Sequence, residues 1–562
     1  MPRLSYVNGS STKPLIGETI GRIFDAVCAD HPERLALVSC HQRVRWTYAE
    51  LKERVDALAA GLVALQLLPG DRVGIWAPNC WEWLVTQYAT AKVGLILVNI
   101  NPAYRLSEVE FALGKVQCKA LITASQLKTS DYVAMLYALA PEIKTAGDGP
   151  IRASKLPKLE HVITLGEAKH DGFRRFSDLF RLGNQDDRER VSAIANDLQF
   201  DDPINIQFTS GTTGVPKGAT LSHHNILNNG FFVGETIGLK PGEKVCAPVP
   251  LYHCFGMVMA NLACLTHAAC VVYPAEMFDP VATLAAVESE ACTALYGVPT
   301  MFIAMLNNPE FNSFYLNSLR TGIVAGAPCP IEIMRQVIDR MHMPQITIAY
   351  GMTETSPVSF QSNLEDSIDR RVTSVGRVHP HLEVKIIDEQ GRIVPVGTAG
   401  ELCTRGYSVM QGYWDEPEKT SEALDPAGWM HTGDLAEIDD NNYCNIVGRI
   451  KDMVIRGGEN IYPREIEEFL YRHPAIQDAQ VIGVPDQQYG EELCAWVVLK
   501  PKHALDAVAL RAFCSEQIAH YKIPRYVRFV ESFPTTVTGK VRKVEMRETM
   551  IAELGLIVDQ AA

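Results

Sequence analysis

The eleven residues from 208 to 218 combine the residue types that hold a phosphate group. They read Phe-Thr-Ser-Gly-Thr-Thr-Gly-Val-Pro-Lys-Gly, follow a predicted strand and precede a helix that Ser222 would cap. Glycines let backbone N–H groups approach phosphate oxygens, hydroxyls donate to those oxygens, and the lysine supplies positive charge. Lys217 is followed by Gly218, whereas a Walker A loop requires Ser or Thr there. The candidate phosphate-binding residues are Thr209, Ser210, Gly211, Thr212, Thr213, Gly214 and Lys217.

Three charged residues lie in predicted turns, where a side chain can reach a ligand. Glu354 comes just after a predicted strand, at the sheet edge where functional groups of α/β proteins collect. Asp434 ends a His-Thr-Gly-Asp turn, and Lys540 lies in a Gly-containing loop near the C-terminus. An aspartate in a turn commonly caps its own backbone, and an isolated lysine is commonly solvated. By themselves these three residues therefore identify no reaction.

The elements that must position these residues follow an α/β pattern. Short apolar segments of β type alternate with helical patterns, which predicts mainly parallel sheets with helices on both faces. Thr47 and Glu50 have capping-box spacing, so a helix should begin there, and another is predicted over 81–93. The predicted strands are 72–76, 95–98, 120–123, 161–165, 204–208, 244–249, 269–273 and 322–325.

The pattern changes in the last third of the chain. Short strands at 384–388, 400–404 and 443–446, separated by Gly, Pro and Asp, predict a small β-barrel or twisted sheet. A compact α+β unit should follow Gly448. Its predicted strands are 479–484, 493–499 and 526–530, and its predicted helices are 463–472, 507–520 and one after 541.

Composition excludes several classes of protein. Of the 562 residues 47% are apolar, and 52 Lys and Arg against 66 Asp and Glu give a net charge of −14, which argues against a nucleic-acid partner. Segment 255–273 is long enough to be weighed as a membrane span, but it contains Asn261, Thr266 and His267. We therefore predict a buried helix at 257–266 and a buried strand, and no transmembrane segment. Fourteen cysteines without a C-x-x-C pair, and no apolar leader, predict reduced thiols in a cytoplasmic protein.

Five motifs in one order resemble those of the adenylate-forming superfamily, which contains acyl- and aryl-CoA synthetases, peptide-synthetase adenylation domains and beetle luciferases. In that family a carboxylate attacks the α-phosphate of ATP, which yields an acyl-adenylate and pyrophosphate. The motifs are Phe208–Gly218, Tyr350-Gly351-Met352-Thr353-Glu354-Thr355, His431-Thr432-Gly433-Asp434, Gly448-Arg449-Ile450-Lys451-Asp452 with Gly457-Gly458-Glu459-Asn460, and Pro534-Thr535-Thr536-Val537-Thr538-Gly539-Lys540.

The resemblance implies roles for the motif residues. Lys540 would be the adenylation lysine, which neutralises charge in the transition state, and Glu354 would hold Mg²⁺. Thr353 would contact the α-phosphate, and Asp434 would accept from the ribose hydroxyls, with Arg449 also binding ribose or phosphate. The other implied residues are Gly326, Ala327 and Pro328 as a wall against adenine, Tyr350 stacking on it, Gly351, His253 as a gate or positioning residue, Lys451 as the hinge, and Gly457, Gly458, Glu459 and Asn460 as the loop that enters for the thiol.

The resemblance also implies the domain organisation. Residues 1–450 would form a large AMP-binding domain of stacked α/β subdomains, with a β-barrel-like subdomain at about 375–447. Residues 451–562 would form a small mobile α+β domain that carries Lys540. Rotation about Lys451 would bring Lys540 into the site for one half-reaction and the 457–460 loop for the other.

The sequence also predicts the acyl acceptor and the class of acid. The Gly-Gly-Glu-Asn loop, and the lack of a carrier-protein domain after residue 562, favour coenzyme A as the acceptor. Segments 252–274 and 296–302 resemble those of medium-chain fatty acyl-CoA synthetases, so a fatty acid of medium to long chain is expected. The alternative acids are an aryl acid or a short branched acid. The alternative proteins are a luciferase, a P-loop NTPase and a non-catalytic nucleotide- or acyl-binding protein.

A homodimer is the working hypothesis for assembly. The apolar candidates for the acyl pocket are Met257, Met259, Leu262, Leu265, Tyr296, Val298, Met301, Phe302 and Met352.

Overall fold

The chain folds into two compact units. The computed structural model describes residues 2–147, 149–209, 216–327, 329–457, 459–515, 517–536 and 540–556. The larger unit comprises Asn8–Glu383 and Thr404–Met430, and the smaller unit comprises Met1–Val7, Val384–Cys403 and His431–Ala562. Helices and strands alternate through the larger unit, which confirms the predicted α/β class.

An eight-stranded sheet carries the segment that leads into the phosphate-loop motif. Its first six strands run parallel, and the last two are antiparallel to their neighbours. The strands, in spatial order, are Arg174–Arg175, His161–Thr164, Ala120–Thr123, Arg72–Trp76, Ile96–Asn99, Pro203–Thr209, Lys217–Ser222 and Gly412–Tyr413. The hairpin Gln126–Leu127 with Ser130–Asp131 stands apart from this sheet.

A nine-stranded sheet forms the second layer of the larger unit. Its six central strands are parallel, and the strands at both edges are antiparallel. The strands, in spatial order, are Arg377–Val378, Val358–Gln361, Gln345–Gly351, Thr321–Ala325, Ala294–Gly297, Lys244–Cys246, Cys270–Tyr273, Leu35–Ser39 and Val44–Thr47.

The helices of the larger unit join both sheets into one core. A single buried cluster contains Val73 and Ile75 of one sheet, Val245 and Val271 of the other, and Leu58 of a helix. The predicted capping box of Thr47 and Glu50 is present at the start of that helix. The α-helices are Ile20–Asp30, Tyr48–Ala64, Trp81–Lys92, Leu106–Lys115, Tyr132–Leu139, Phe176–Leu182, Gln185–Asp197, His223–Thr236, Cys254–Gly256, Ala263–Thr266, Pro280–Glu290, Pro299–Leu306, Ile331–Arg340, Ile368–Thr373 and Pro417–Ala423, with 3₁₀ turns at Pro141–Thr145, Phe311–Ser313 and Thr353–Thr355.

The apolar segment 255–273 forms the buried helix and buried strand that were predicted. Its middle part, Met257–Leu262, is a π-helix, which the sequence pattern did not indicate. The carbonyl of Met257 accepts from the Gln87 amide at 3.0 Å, and that of Asn261 accepts from the Tyr88 hydroxyl at 3.1 Å. Within the described part of the chain, no helix is long and apolar enough to traverse a lipid bilayer.

A strand that the sequence did not indicate lies between the phosphate-loop motif and the helix predicted after it. Lys217–Ser222 is a strand that pairs antiparallel with Pro203–Thr209, so Phe208 and Thr209 lie opposite Gly218 and Lys217. The helix His223–Thr236 begins only after this strand, and the Ser222 side chain caps it as expected. The short, buried run Gly-Ala-Thr-Leu-Ser suits a strand.

The smaller unit contains two five-stranded sheets. The first has the order Tyr6–Asn8, Leu382–Ile387, Gly400–Gly406, Met430–Ile438 and Cys444–Arg449, and it is an open sheet, one of the two forms predicted for this region. The second has the order Glu459–Ile461, Val454–Arg456, Gly490–Leu499 and Ile476–Asp486, with Tyr526–Phe529 pairing parallel to Gly490–Leu499. The helices are Pro463–Leu470, Ala507–Ser515 and Lys543–Leu554, with 3₁₀ turns at Ile450–Asp452 and His520–Lys522.

Candidate active site

Glu354 lies in a tight turn at the carboxyl end of a parallel strand. The strand Gln345–Gly351 leads into the 3₁₀ turn Thr353–Thr355, in which Thr353 and Glu354 are both buried. The Glu354 carbonyl accepts from the Met410 N–H at 2.9 Å. This bond connects the turn to the segment just before Gly412–Tyr413, the edge strand of the eight-stranded sheet. Glu354 is 6% exposed, so its carboxylate is held in a defined place where oxygen ligands for a cation would be useful.

Tyr413 joins Glu354 to Lys217, and the sequence analysis did not identify it. Its edge strand pairs with Lys217–Ser222, where Ala219 lies opposite Tyr413. The Tyr413 hydroxyl donates to Glu354 Oε1 at 2.8 Å, and Lys217 Nζ lies 4.5 Å from the centre of the tyrosine ring. A cation at that distance from a ring face is attracted to it. The Tyr413 side chain therefore orients both the Glu354 carboxylate and the Lys217 ammonium group.

Burial and the neighbouring Glu354 carboxylate raise the pKa of Tyr413. The phenol therefore stays protonated at neutral pH and remains a donor to the carboxylate. A Gly-Tyr-Trp run after a loop carries no local signal of this role, because Glu354 lies 59 residues earlier in the chain and the paired strand Lys217–Ser222 lies earlier still.

Gly351 is required where the strand bends into the Glu354 turn. A Cβ atom at this position would lie 1.7 Å from the carbonyl oxygen of Pro357. We predict that Gly351→Ala lowers the melting temperature by at least about 2 °C, since overpacking of this kind costs about 1–3 kcal/mol. Gly17→Ala is the matched control, because nothing lies within 4 Å of the added methyl group there. Equal melting temperatures for the two variants would contradict the packing argument.

The predicted adenine-binding residues follow adjacent parallel strands. Gly326 and Ala327 come after Thr321–Ala325, whose Ala325 lies opposite Ala349 of the strand that ends in Tyr350 and Gly351. Gly326 has a φ of +88°, which turns the chain sharply there. The carboxyl ends of neighbouring strands thus bring Gly326, Ala327 and Tyr350 to the same sheet edge as Glu354.

His253 acts as a helix cap in the predicted acyl-pocket segment. Its Nδ1 accepts from the Phe255 N–H at 3.2 Å at the start of Cys254–Gly256. In the neutral ring the proton is therefore on Nε2. The Asn99 amide donates to the Tyr252 carbonyl at 3.0 Å, so the segment is tied to the eight-stranded sheet. This geometry suits a positioning role for His253.

Buried amides next to this segment were also missed by the sequence analysis. Gln207 Nε2 donates to Asn205 Oδ1 at 2.9 Å and lies 3.3 Å from Met257 Sδ, while Asn205 donates to Asn99 Oδ1 at 2.9 Å. Polar side chains inside a parallel strand are the signal that could have identified them, because such strands are normally apolar throughout.

All of the apolar pocket candidates except Met352 are buried: Met257, Met259, Leu262, Leu265, Tyr296, Val298, Met301 and Phe302.

Asp434 and Arg449 meet in the smaller unit. They are cross-strand partners, and Arg449 Nε donates to Asp434 Oδ1 at 3.0 Å. Asp434 is 6% exposed, whereas 58% of the Arg449 side chain is exposed. The predicted turn at His431–Asp434 is instead part of the strand Met430–Ile438. The Thr432 hydroxyl accepts from the Asp434 N–H at 3.1 Å and donates to the Leu402 carbonyl at 2.8 Å, which holds Asp434 in place. The structure therefore brings both predicted ribose ligands together.

The other predicted residues of the smaller unit that the structure describes lie near its surface. The backbone of Lys540 bonds that of Thr536, with Thr536 N–H donating to the Lys540 carbonyl at 2.7 Å, and Lys540 is exposed. Lys451 lies in the 3₁₀ turn Ile450–Asp452. Gly457 has a φ of +60° and Glu459 begins a strand. The predicted residues Ser210, Gly211, Thr212, Thr213, Gly214, Pro328 and Gly458, and the side chain of Asn460, lie outside the described part of the chain.

Two family models match the chain. The model described as "AMP-binding enzyme" matches residues 24–414, and that described as "AMP-binding enzyme C-terminal domain" matches residues 465–540. The first match alone covers well over half of the 562 residues and includes Lys217, Glu354 and Tyr413.

One curated relative and two solved structures illustrate the similarity. The mitochondrial medium-chain acyl-CoA ligase of Danio rerio is 47% identical over 555 residues, which cover 98% of this chain and 91% of that protein. An anthranilate CoA ligase in complex with anthranoyl-AMP has a TM-score of 0.85 at 25% identity, covering 97% of this chain and 99% of the other. ATP-bound MatB from Rhodopseudomonas palustris has a TM-score of 0.81 at 29% identity, covering 94% and 99%.

Proposed function

Because the chain belongs to the AMP-binding enzyme family, we propose that it is an AMP-forming acyl-CoA ligase that activates fatty acids of medium chain length. In the first half-reaction the carboxylate oxygen forms a bond to the α-phosphorus of ATP, and the bond to pyrophosphate breaks. In the second, the thiol of coenzyme A loses its proton and attacks the acyl carbonyl, and AMP leaves. The observation that carries the proposal is the Lys217–Tyr413–Glu354 arrangement at the sheet edge.

Glu354 fits the role of a magnesium ligand. Its carboxylate is buried, is oriented by Tyr413 and offers the hard oxygen donors that Mg²⁺ prefers. When bound, Mg²⁺ would draw negative charge from the phosphate oxygens of ATP. Lys217 would add a positive charge next to the same phosphates, and Thr353 would donate its hydroxyl to the α-phosphate.

Asp434 and Arg449 would bind the ribose from the smaller unit. The Asp434 carboxylate can accept from both ribose hydroxyls, and Arg449 already orients it. We propose in addition that residues 451–562 move as one body about Lys451. This motion would deliver Lys540 for adenylation and then the 457–460 loop, with Gly457 providing the tight turn, for thioester formation.

The Tyr413 hydroxyl should matter through Glu354. We predict that Tyr413→Phe lowers kcat/KM for ATP about 10-fold and raises the Mg²⁺ concentration needed for half-maximal rate, because a hydrogen bond to a charged group contributes about 1.5–3 kcal/mol. The assay is AMP release with octanoate and coenzyme A. The phenylalanine ring still lies under Lys217, so only the bond to Glu354 is lost.

Tyr132→Phe is the control for this variant. It removes a buried tyrosine hydroxyl that donates to the Pro102 carbonyl in the same unit, so it reports any general loss of stability. An unchanged Mg²⁺ dependence in Tyr413→Phe, or the same change in Tyr132→Phe, would show that the Tyr413 hydroxyl has no specific role in Mg²⁺ binding by Glu354.

The identity of the acid is tested by a panel of substrates. AMP release is measured with acetate, butyrate, octanoate, palmitate, benzoate and cinnamate. Octanoate, the medium-chain acid of the panel, should give the highest kcat/KM, in line with the medium-chain acyl group in the name of the Danio rerio relative. A higher value for benzoate or cinnamate would instead make the protein an aryl-CoA ligase, as the similarity to an anthranilate CoA ligase would then suggest. No AMP with any acid would refute the ligase proposal.

The cysteines support a reducing compartment, and we propose the cytoplasm. All fourteen lie in the described part of the chain, none is in a disulfide, and thirteen are buried. Structural disulfides are rare in such compartments, and burial keeps thiols from reacting.

A further inference from the structure

Three side chains in the first sheet of the smaller unit converge on one point. Glu401 and Cys403 lie two residues apart on the strand Gly400–Gly406, so their side chains are on the same face of the sheet. His431 lies on the neighbouring strand Met430–Ile438. Glu401 Oε2 lies 3.0 Å from His431 Nδ1, and Cys403 Sγ lies 3.7 Å from the same nitrogen. Among the described residues, this is the one group of three or more Cys, His and acidic side chains whose ligand atoms all lie within 4.8 Å of one another.

These distances match the spacing of ligands around a tetrahedral ion. With Zn–N of about 2.0–2.1 Å and Zn–S of about 2.3 Å, tetrahedral ligand atoms lie roughly 3.3–3.6 Å apart. The two distances at His431 differ from that range by a few tenths of an ångström. An opening of the Glu401–His431 pair by a few tenths of an ångström brings both distances at His431 close to the tetrahedral spacing, and all three ligand atoms lie within 4.8 Å of one another.

The donor types select the class of cation. A thiolate, an imidazole and one carboxylate favour a borderline ion such as Zn²⁺ or Co²⁺, whereas Mg²⁺ takes oxygen ligands and suits Glu354. Cys403 is 0% exposed, but 30% of the His431 side chain and 22% of the Glu401 side chain are exposed, which provides the route of entry.

We propose that Glu401, Cys403 and His431 form a binding site for a single Zn²⁺ or Co²⁺ ion, with a fourth position for water. On binding, the S–H bond of Cys403 breaks, its proton passes to solvent and a metal–sulfur bond forms. Before binding, the His431 Nδ1–H donates to Glu401 Oε2, because a carboxylate only accepts. On binding, the Nδ1 proton passes to solvent and Nε2 takes a proton from solvent, so the neutral ring binds the ion through Nδ1. Glu401 binds through Oε2, while its Oε1 keeps the bond from the Gly433 N–H at 3.2 Å.

His431 lies three residues before Asp434, on the same strand Met430–Ile438. An ion held by Glu401 and His431 would restrain the Gly433 backbone and thus the carboxylate that follows it. The proposal is independent of the acyl-CoA ligase activity, because it requires only the three side chains and their geometry.

Cobalt absorption tests the proposal on the full-length reduced protein. Co²⁺ is titrated into the protein, and the thiolate-to-Co²⁺ charge-transfer band in the near ultraviolet is recorded. The wild type should develop this band with one equivalent of Co²⁺, and Zn²⁺ should abolish it. Cys403→Ser should lose the band, and Cys444→Ser, which removes another buried thiol from the same sheet, should keep it.

Two further variants keep the test decisive if Cys403→Ser fails to fold. Glu401→Gln and His431→Gln leave the thiol in place and should weaken Co²⁺ binding at least about tenfold. Circular dichroism establishes that each variant is folded. The absence of a charge-transfer band in the wild type, a band that survives in folded Cys403→Ser, or unchanged affinity in both other variants would overturn the proposal.

Discussion

Lys540→Ala is expected to lower the rate of acyl-adenylate formation by about 10²–10³-fold, the loss typical of removing a group that stabilises charge in a transition state. The proposed role of Lys540 is to neutralise negative charge at the α-phosphate and the attacking carboxylate. It acts only while the first bond forms. Thioester formation from supplied acyl-AMP and coenzyme A should therefore stay within about threefold of the wild-type rate, a difference of less than 1 kcal/mol in barrier.

The two half-reactions are measured separately on the same variant. Adenylation is followed by pyrophosphate exchange into ATP without coenzyme A, and thioester formation by AMP release from acyl-AMP. Lys543→Ala is the control, since it removes a nearby lysine that bonds Glu467 at 2.7 Å and the Val481 carbonyl at 3.1 Å. If Lys540→Ala lowers both half-reactions equally, the alternation of the mobile domain is refuted.

Glu354→Gln should lower kcat/KM for ATP by about 100-fold or more. The substitution keeps the shape of a side chain that is 6% exposed but removes its negative charge, so the cation loses several kcal/mol of stabilisation. Part of the loss should be recovered at high Mg²⁺ concentration. The measurement is the initial rate of AMP release with octanoate as a function of Mg²⁺ concentration.

Glu416→Gln is the matched control for Glu354→Gln. Its carboxylate lies in the same unit but pairs with Lys115 at 3.1 Å and Lys419 at 3.0 Å instead of the Tyr413 hydroxyl. It should keep the wild-type Mg²⁺ dependence. A Glu354→Gln enzyme with wild-type kcat/KM at low Mg²⁺ would exclude Glu354 as a metal ligand.

The sequence predicted the parallel strands well because their signal is local. The strands Arg72–Trp76 and Ala120–Thr123 have the predicted bounds, since continuous apolar runs between turns are what a doubly covered sheet requires. The Thr47 capping box and the Ser222 cap were also correct, because both depend on residues three positions apart.

The sequence did not predict features that depend on distant pairing. Lys217–Ser222 was not recognised as a strand, because its partners Pro203–Thr209 and Gly412–Tyr413 stabilise it from two sides. Tyr413 reaches Glu354 only through that pairing. The π-helix Met257–Leu262 depends on the buried side chains of Gln87 and Tyr88, whose partners no periodicity reveals.

The predicted roles of the site residues came from motif order and not from spacing. Asp434 and Arg449 illustrate the difference: each alone is an ordinary turn or strand residue, and their pairing at 3.0 Å appears only in the folded sheet. A charged side chain acquires a defined function when other elements restrict its geometry, and those elements are far away in the chain.

The most direct test of the central claim is pyrophosphate exchange into ATP with the wild-type protein, octanoate and Mg²⁺, and without coenzyme A. Labelled pyrophosphate should enter ATP only when octanoate is present, because acyl-AMP formation is reversible and occurs before coenzyme A reacts. Exchange that does not depend on a carboxylic acid, or no exchange with octanoate or any other acid of the panel, would contradict it.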